Sequence, residues 1–232
     1  MQAENSTHES RNTLKAKILH TAMQSFVTEG IKPVTMDMIA RKLVISKRTL
    51  YEIFADKEQL LLEGVVHYQK MTKQKMTQVA KDSKNVLETI LLIYEKKMEE
   101  LRYITPRFYQ DLRKYSSVME YIKKRNEAET AEAVAFLEKG VGQGFFRNDV
   151  NFTVINQFLN DQADYIINRD SLKEIPITEI FDSMILVYIR GFSTDKGLKI
   201  IENFLKERKN TPLSEQHKLS FKWEDLNIED NC

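Results

Sequence analysis

Cysteine is nearly absent: one residue, Cys232, is too few for an internal disulfide or a thiolate metal cage, and a reducing compartment suits such a chain best. Proline (4) and glycine (7) are also scarce, which leaves little to punctuate short strands or to build a low-complexity chain. No apolar run approaches the ~18–20 residues that cross a bilayer, so no membrane partner is expected. The opening MQAENSTHESRN has no apolar stretch and is read as no secretory signal, and a cytoplasmic location is expected. A net charge of +1 gives no bulk attraction to nucleic acid, so any such partner must be argued from local charge. The histidines His8, His20, His67 and His217 are scattered, and none follows a glutamate by three positions. The Glu-x-x-His pairs of metal-binding helical bundles are therefore missing, and neither metal, cofactor nor catalytic residues are expected.

What remains is a helix-forming composition. The 232 residues exceed one ordinary domain, and 42% hydrophobic residues suffice for a core. Leu14, Ile18, Leu19, Ala22, Met23, Phe26 and Val27 draw one apolar stripe from a start near Asn12 or Thr13, and Gly30 with Pro33 ends it. Thr35 opens a short helix carrying Met36, Ile39, Ala40 and Leu43. Ser46 caps another, Lys47 to about Phe54, and Asp56 caps a fourth from Lys57. Further helices are predicted over about 86–102, 106–116, 118–141, 152–168, 177–190 and 195–208, with the fourth ending near 80. The expected fold is all-α. Residues 1–10 form a disordered tail, 11–56 a DNA-binding domain, 57–209 a helical sensing and dimerising domain, and 210–232 a tail in which Leu219, Phe221 and Trp223 alternate like a strand.

Two helices of eight or nine residues joined by a tight turn have the arithmetic of a helix-turn-helix. Arg41, Lys42, Lys47 and Arg48 fall within eight residues free of acids. A charge cluster is ordinarily just a solvated face, so the pattern matters more. If Ile39, Ala40, Leu43, Ile45, Leu50, Ile53 and Phe54 face inward, Lys47, Arg48, Tyr51 and Glu52 share the opposite face. A helix fits the major groove, where Arg48 can grip guanine with two hydrogen bonds and Lys47 can reach a base or phosphate. Thr49 and Tyr51 offer hydroxyls to phosphate, and the helix starts at Thr35 and Lys57 offer N–H groups.

Residues 35–60, TMDMIARKLVISKRTLYEIFADKEQL, closely resemble the DNA-binding region of the tetracycline-repressor (TetR) family. The match rests on Thr35, Ile39-Ala40, Leu43, Ile45-Ser46-Lys47, Thr49-Leu50-Tyr51, Phe54, Lys57-Glu58 and Leu60, with Phe26 and Gly30 in the helix before. One position departs. The family commonly has glycine in the turn where this chain has Val44, so the turn is made either without a left-handed residue or by Val44 under strain. The resemblance implies a homodimer on pseudo-palindromic double-stranded operator DNA, usually a repressor, with an unknown small-molecule effector bound in the C-terminal helical domain. It also implies that residues 142–150, GQGFFRNDV, form the junction before the dimerising helices.

Elsewhere the residues leave alternatives open. Tyr94, Met98, Tyr103, Phe108, Tyr109, Met119 and Tyr121 can line an adaptable pocket or be ordinary core. Arg102, Arg107 and Arg113 suit an acidic ligand or a solvated surface. Phe158 and Leu159, then Phe181, Met184, Ile185 and Tyr188, give two wide apolar faces that two subunits can join as four helices, or that pack within one chain. Ser193 and Thr194 fit a helix cap better than a nucleophile, and Gly140, Gly142 and Gly144 fit a helix end better than a dinucleotide loop. The reading is a ligand-responsive transcriptional regulator and not an enzyme. The alternatives are a helix-turn-helix protein working through a protein partner, as in division or nucleoid organisation, and a helical-bundle enzyme or metal carrier.

Overall fold

The computed structural model describes residues 2–168 and 175–210, with side chains described over 11–162 and 175–208. Ten helices are described: α1 (Gln2–Glu29), α2 (Met36–Lys42), α3 (Lys47–Ile53), α4 (Lys57–Asp82), α5 (Val86–Leu101), α6 (Pro106–Leu112), α7 (Ser116–Gly142), α8 (Phe152–Asn168), α9 (Ile177–Phe192) and α10 (Asp195–Asn210). No strand is assigned among the described residues, where pairing outside helices is limited to an isolated bridge between Phe146 and Ser193. The predicted boundaries differ from these by a few residues, except at two ends. The chain is helical from Gln2, well before the expected start at Asn12 or Thr13, because residues 2–11 hold no glycine or proline to stop it. Helix α6 ends at Leu112 instead of near 116, where a turn before Ser116 starts α7 afresh. The strand-like Leu219, Phe221 and Trp223 lie outside the described residues.

The described chain divides into two compact units, one of residues 2–73 with 104–120, the other of 74–103 with 121–168 and 175–210. In the first, Ile18, Ala22, Phe26 and Val27 of α1 are buried with Ile39, Leu50, Phe54, Leu60 and Leu61. Gly30 ends α1 with φ +93, its N–H reaching the Phe26 carbonyl at 2.9 Å. It is also a close approach: a Cβ there would lie 2.6 Å from side-chain carbons of Arg107, so a substitution is opposed twice.

The second unit has its core in Val86, Leu87 and Leu91 of α5 with Phe145, Phe146, Phe152, Ile189, Phe192 and Ile201. The 142–150 segment is held there by specific bonds. The Phe146 ring meets Phe192 edge-on at 5.0 Å, Arg147 N–H donates to the Phe192 carbonyl, and Thr194 N–H donates to that of Phe145. The Thr194 hydroxyl accepts from Gly197 N–H at 3.3 Å, so Thr194 caps α10.

Candidate nucleic-acid interface

Helix α2 begins because the Thr35 hydroxyl accepts the Met38 N–H at 3.2 Å, and α3 because the Ser46 hydroxyl accepts that of Thr49 at 3.0 Å. The intervening turn is a Schellman cap: Ile45 N–H bonds the Ala40 carbonyl at 3.0 Å and Val44 N–H bonds that of Arg41 at 3.2 Å. That pattern requires a left-handed residue after the helix, and Val44 takes it, with φ +56. Of the two ways open to a turn without glycine, the chain uses the strained one.

Leu50 and Phe54 are fully buried, which turns the remaining face of α3 outward. Arg48 is 89% exposed, and Tyr51 is 49% exposed. The Arg48 Nε donates to Glu52 Oε1 at 2.8 Å, one helical turn on. The Lys47 ammonium is paired with Asp37 of α2. The Thr49 and Ser46 hydroxyls lie 2.8 Å apart, and Thr35 is exposed at the start of α2. Of the sequence-predicted contacts, Thr35, Lys47, Arg48, Thr49 and Tyr51 are thus brought to one helix pair.

Two other basic residues, Lys42 of the cluster and Lys57 beyond it, are turned to different work. Lys42 bridges Ser25 and Glu29 of α1, both at 2.8 Å, and so fastens α2 to the core helix. The Lys57 ammonium donates to the carbonyls of Ile31, Val34 and Lys32 at 2.9, 3.0 and 3.4 Å. Those are the three N–H bonds an ammonium has. Burial pushes its pKa below the ordinary lysine value, with Asp111 pulling the other way. The same linker is held from another side. Asp111, buried on α6, accepts the Lys32 N–H at 2.7 Å and pairs with Lys114 at 3.0 Å, while Thr105 N–H donates to the Val27 carbonyl at 2.8 Å. Burial alone would raise the Asp111 carboxyl, but the Lys32 and Lys114 hydrogen bonds outweigh it and hold it below the usual range. Sequence reasoning missed Asp111, since nothing local marks a residue whose partner is 79 positions away.

The predicted pocket residues fall in both units. Tyr94 and Met98 are buried in the second. There the Tyr94 hydroxyl donates to Asp182 and accepts from Arg208 at 2.6 Å, and its ring stacks on Phe181; burial, then the Asp182 hydrogen bond, pushes it up to about 12. Tyr121 is partly buried and Tyr103 half exposed in the same unit. Phe108, Tyr109 and Met119 belong to the first unit, where Phe108 is buried with its ring edge-on to Tyr109 at 5.4 Å. Of the apolar α8 and α9 residues, Phe158, Met184 and Tyr188 line an open groove of about 780 Å³ together with Ile180 and Val187. Leu159 and Ile185 are partly buried, and Phe181 faces Tyr94.

Residues 18–63 match the family described as "Bacterial regulatory proteins, tetR family". Over that stretch the chain carries a DNA-binding region similar to that of the tetR family. It is 26% identical over 150 residues to the HTH-type transcriptional repressor KstR2 of Mycolicibacterium smegmatis, covering 62% of this chain and 73% of that protein. The fold resembles a TetR-family transcriptional regulator from Agrobacterium tumefaciens, with TM-score 0.62, 13% identity, and 80% and 99% of the two chains covered. It also resembles the ketosteroid transcriptional regulator KstR2 of Mycobacterium tuberculosis, with TM-score 0.52, 20% identity, and 78% and 95% covered. The chain is accordingly a ligand-responsive DNA-binding transcriptional regulator, and no helix among its described residues is long and apolar enough to cross a membrane.

Proposed function

We propose that this tetR-family regulator is a cytoplasmic repressor that binds a pseudo-palindromic operator as a homodimer and releases it when a small molecule binds the helical unit. The observation that carries this reading is the orientation of α3: its apolar side is buried on the first unit, so Arg48 and Tyr51 project outward with Lys47 beside them. A helix so presented enters the major groove, with Arg48 reading guanine and Thr35, Lys47, Thr49 and Tyr51 contacting backbone or base edges. Lys57 serves the interface indirectly, by holding the linker that leads into α2.

The groove on α8 and α9 supports the dimer. Phe158 is 53% and Val187 69% exposed there, and a second copy would bury both in a two-fold, self-complementary contact. Two heads then meet half-sites about 34–36 Å apart, or multiples of that spacing. The effector acts as a population shift: it need only favour one head spacing over another by a few kcal/mol. For the effector site, the buried Tyr94 and Met98 are the best-placed candidates in the second unit. Selection of genomic fragments by the purified protein, repeated with Arg48→Ala, tests the reading. A half-site that loses preference at one base pair in the variant supports it; uniform weakening on every sequence makes Arg48 a phosphate contact and overturns the assignment.

A further inference from the structure

The DNA-reading face of α3 carries a carboxylate. An acid on a surface that must approach phosphates works against binding, and an exposed pair one helical turn apart adds little to stability. The position of Glu52 therefore asks for another explanation, and the hydrogen bond it makes supplies one. Glu52 Oε1 takes Arg48 through Nε, at 2.8 Å. A guanidinium has two edges able to grip a two-acceptor target, one made of Nε with a terminal nitrogen and one of both terminal nitrogens. With Nε engaged, the edge made of Nη1 and Nη2 is the one left to point outward, and neither atom has a partner among the described residues. That edge matches O6 and N7 of guanine in the major groove. The neighbouring Lys47 offers no such fork, and its ammonium is already paired with Asp37.

We infer that Glu52 is a specificity-determining residue which reads no base itself but orients Arg48, so that the arginine prefers guanine over the other bases. The inference rests on the reading that α3 lies in the major groove, and the experiment separates failure of one from failure of the other. Once the carboxylate enters the groove with its partner, surrounding water thins and the pair tightens, so the restraint is greatest where it is needed. Removing it leaves Arg48 attached but free to swing to a phosphate or an adjacent base.

The test uses the full-length protein and a labelled duplex carrying the half-site selected by the wild type, plus a duplex in which the guanine under Arg48 is replaced. In the wild type the replacement is expected to weaken binding about 5- to 150-fold, the range for one two-bond arginine–guanine contact. Glu52→Ala should reduce that ratio by about three- to tenfold, while Glu52→Gln, which keeps an acceptor for Nε, retains most of it. In the Arg48→Ala background, Glu52→Ala should change the ratio no further, because the glutamate acts only through the arginine. Unfolding curves confirm that each variant is folded, and Glu52→Gln, the milder change, covers loss of fold in Glu52→Ala. A Glu52→Ala ratio equal to the wild type's overturns the inference. So does a changed preference at a different base pair, which would make Glu52 a direct reader of a cytosine amino group. Equal tightening on all duplexes would reduce Glu52 to a repulsive charge and also overturn it. If Arg48→Ala itself leaves the ratio intact, the groove placement fails instead.

Discussion

Replacing Val44 with glycine should make this protein more stable although it deletes an isopropyl group. Val44 sits at φ +56 with 92% of its surface exposed, so the side chain contributes almost no burial and its loss costs almost nothing in contacts. The backbone is a different matter. A left-handed L-residue is disfavoured by roughly 1–2 kcal/mol, and a β-branched side chain lies at the upper end. Glycine removes that strain but gives up more chain entropy on folding, about 0.5–1 kcal/mol. The net gain is about 1–1.5 kcal/mol, or roughly 2–6 °C in Tm for a chain of this size. Val44→Asn, which tolerates the left-handed region without glycine's entropy loss, should gain at least as much. Urea and thermal unfolding measure it, with an unchanged m-value required. Gly144 provides the mirror-image control. It holds φ +76, and a Cβ there would meet nothing nearer than the Lys196 ammonium at 3.8 Å, so Gly144→Ala should cost about 1 kcal/mol through backbone conformation alone. If Val44→Gly is neutral or destabilising while Gly144→Ala behaves as stated, the strain assigned to Val44 is refuted.

Lys57→Ala leaves three carbonyls of the 31–34 linker without their donor and should lower stability by about 1–2 kcal/mol. It should weaken operator binding without changing the salt slope, whereas a slope smaller by about one unit would put Lys57 on a phosphate. Asp111 is held below the ordinary carboxylate value, so as pH falls the unfolded chain takes the proton first. Its contribution is therefore present above the ordinary value of 3.8 and lost as pH drops through the lower folded value. Asp111→Asn should destabilise at neutral pH by about 1–2 kcal/mol and flatten this acid dependence; an unchanged acid limb would show that Asp111 does not supply it. Val187→Glu places a charge on the α8–α9 groove and should yield monomers of 27.2 kDa in sedimentation, and dimers that persist would move the interface elsewhere.

Much of the architecture was legible because it is written locally. The caps at Thr35 and Ser46, the stripe from Ile18 to Val27 and the stop at Gly30 are signals within one or two turns of the elements they define. The outward face of α3 followed from the same periodicity, since burying Leu50 and Phe54 leaves Arg48 and Tyr51 opposite. Val44 was legible only in part: the missing glycine showed that the turn was unusual, and not which solution it takes. The Schellman bonds to Ala40 and Arg41 decide that.

The amino-acid order alone determined that the chain is helical, most helix boundaries to within a few residues (the start of α1 and the end of α6 excepted), and which side of α1 and α3 is apolar, because hydrogen bonds i to i+4 and side-chain periodicity require no distant partner. Tertiary structure decided where the long charged side chains went. Lys42 and Lys57 look as exposed in sequence as Arg48, yet one reaches α1 and the other the 31–34 carbonyls, while Arg48 stays on the surface. Asp111 finds Lys32 across 79 positions. Such pairings depend on which polar groups the packed chain leaves unsatisfied nearby, and that is settled only when the helices meet.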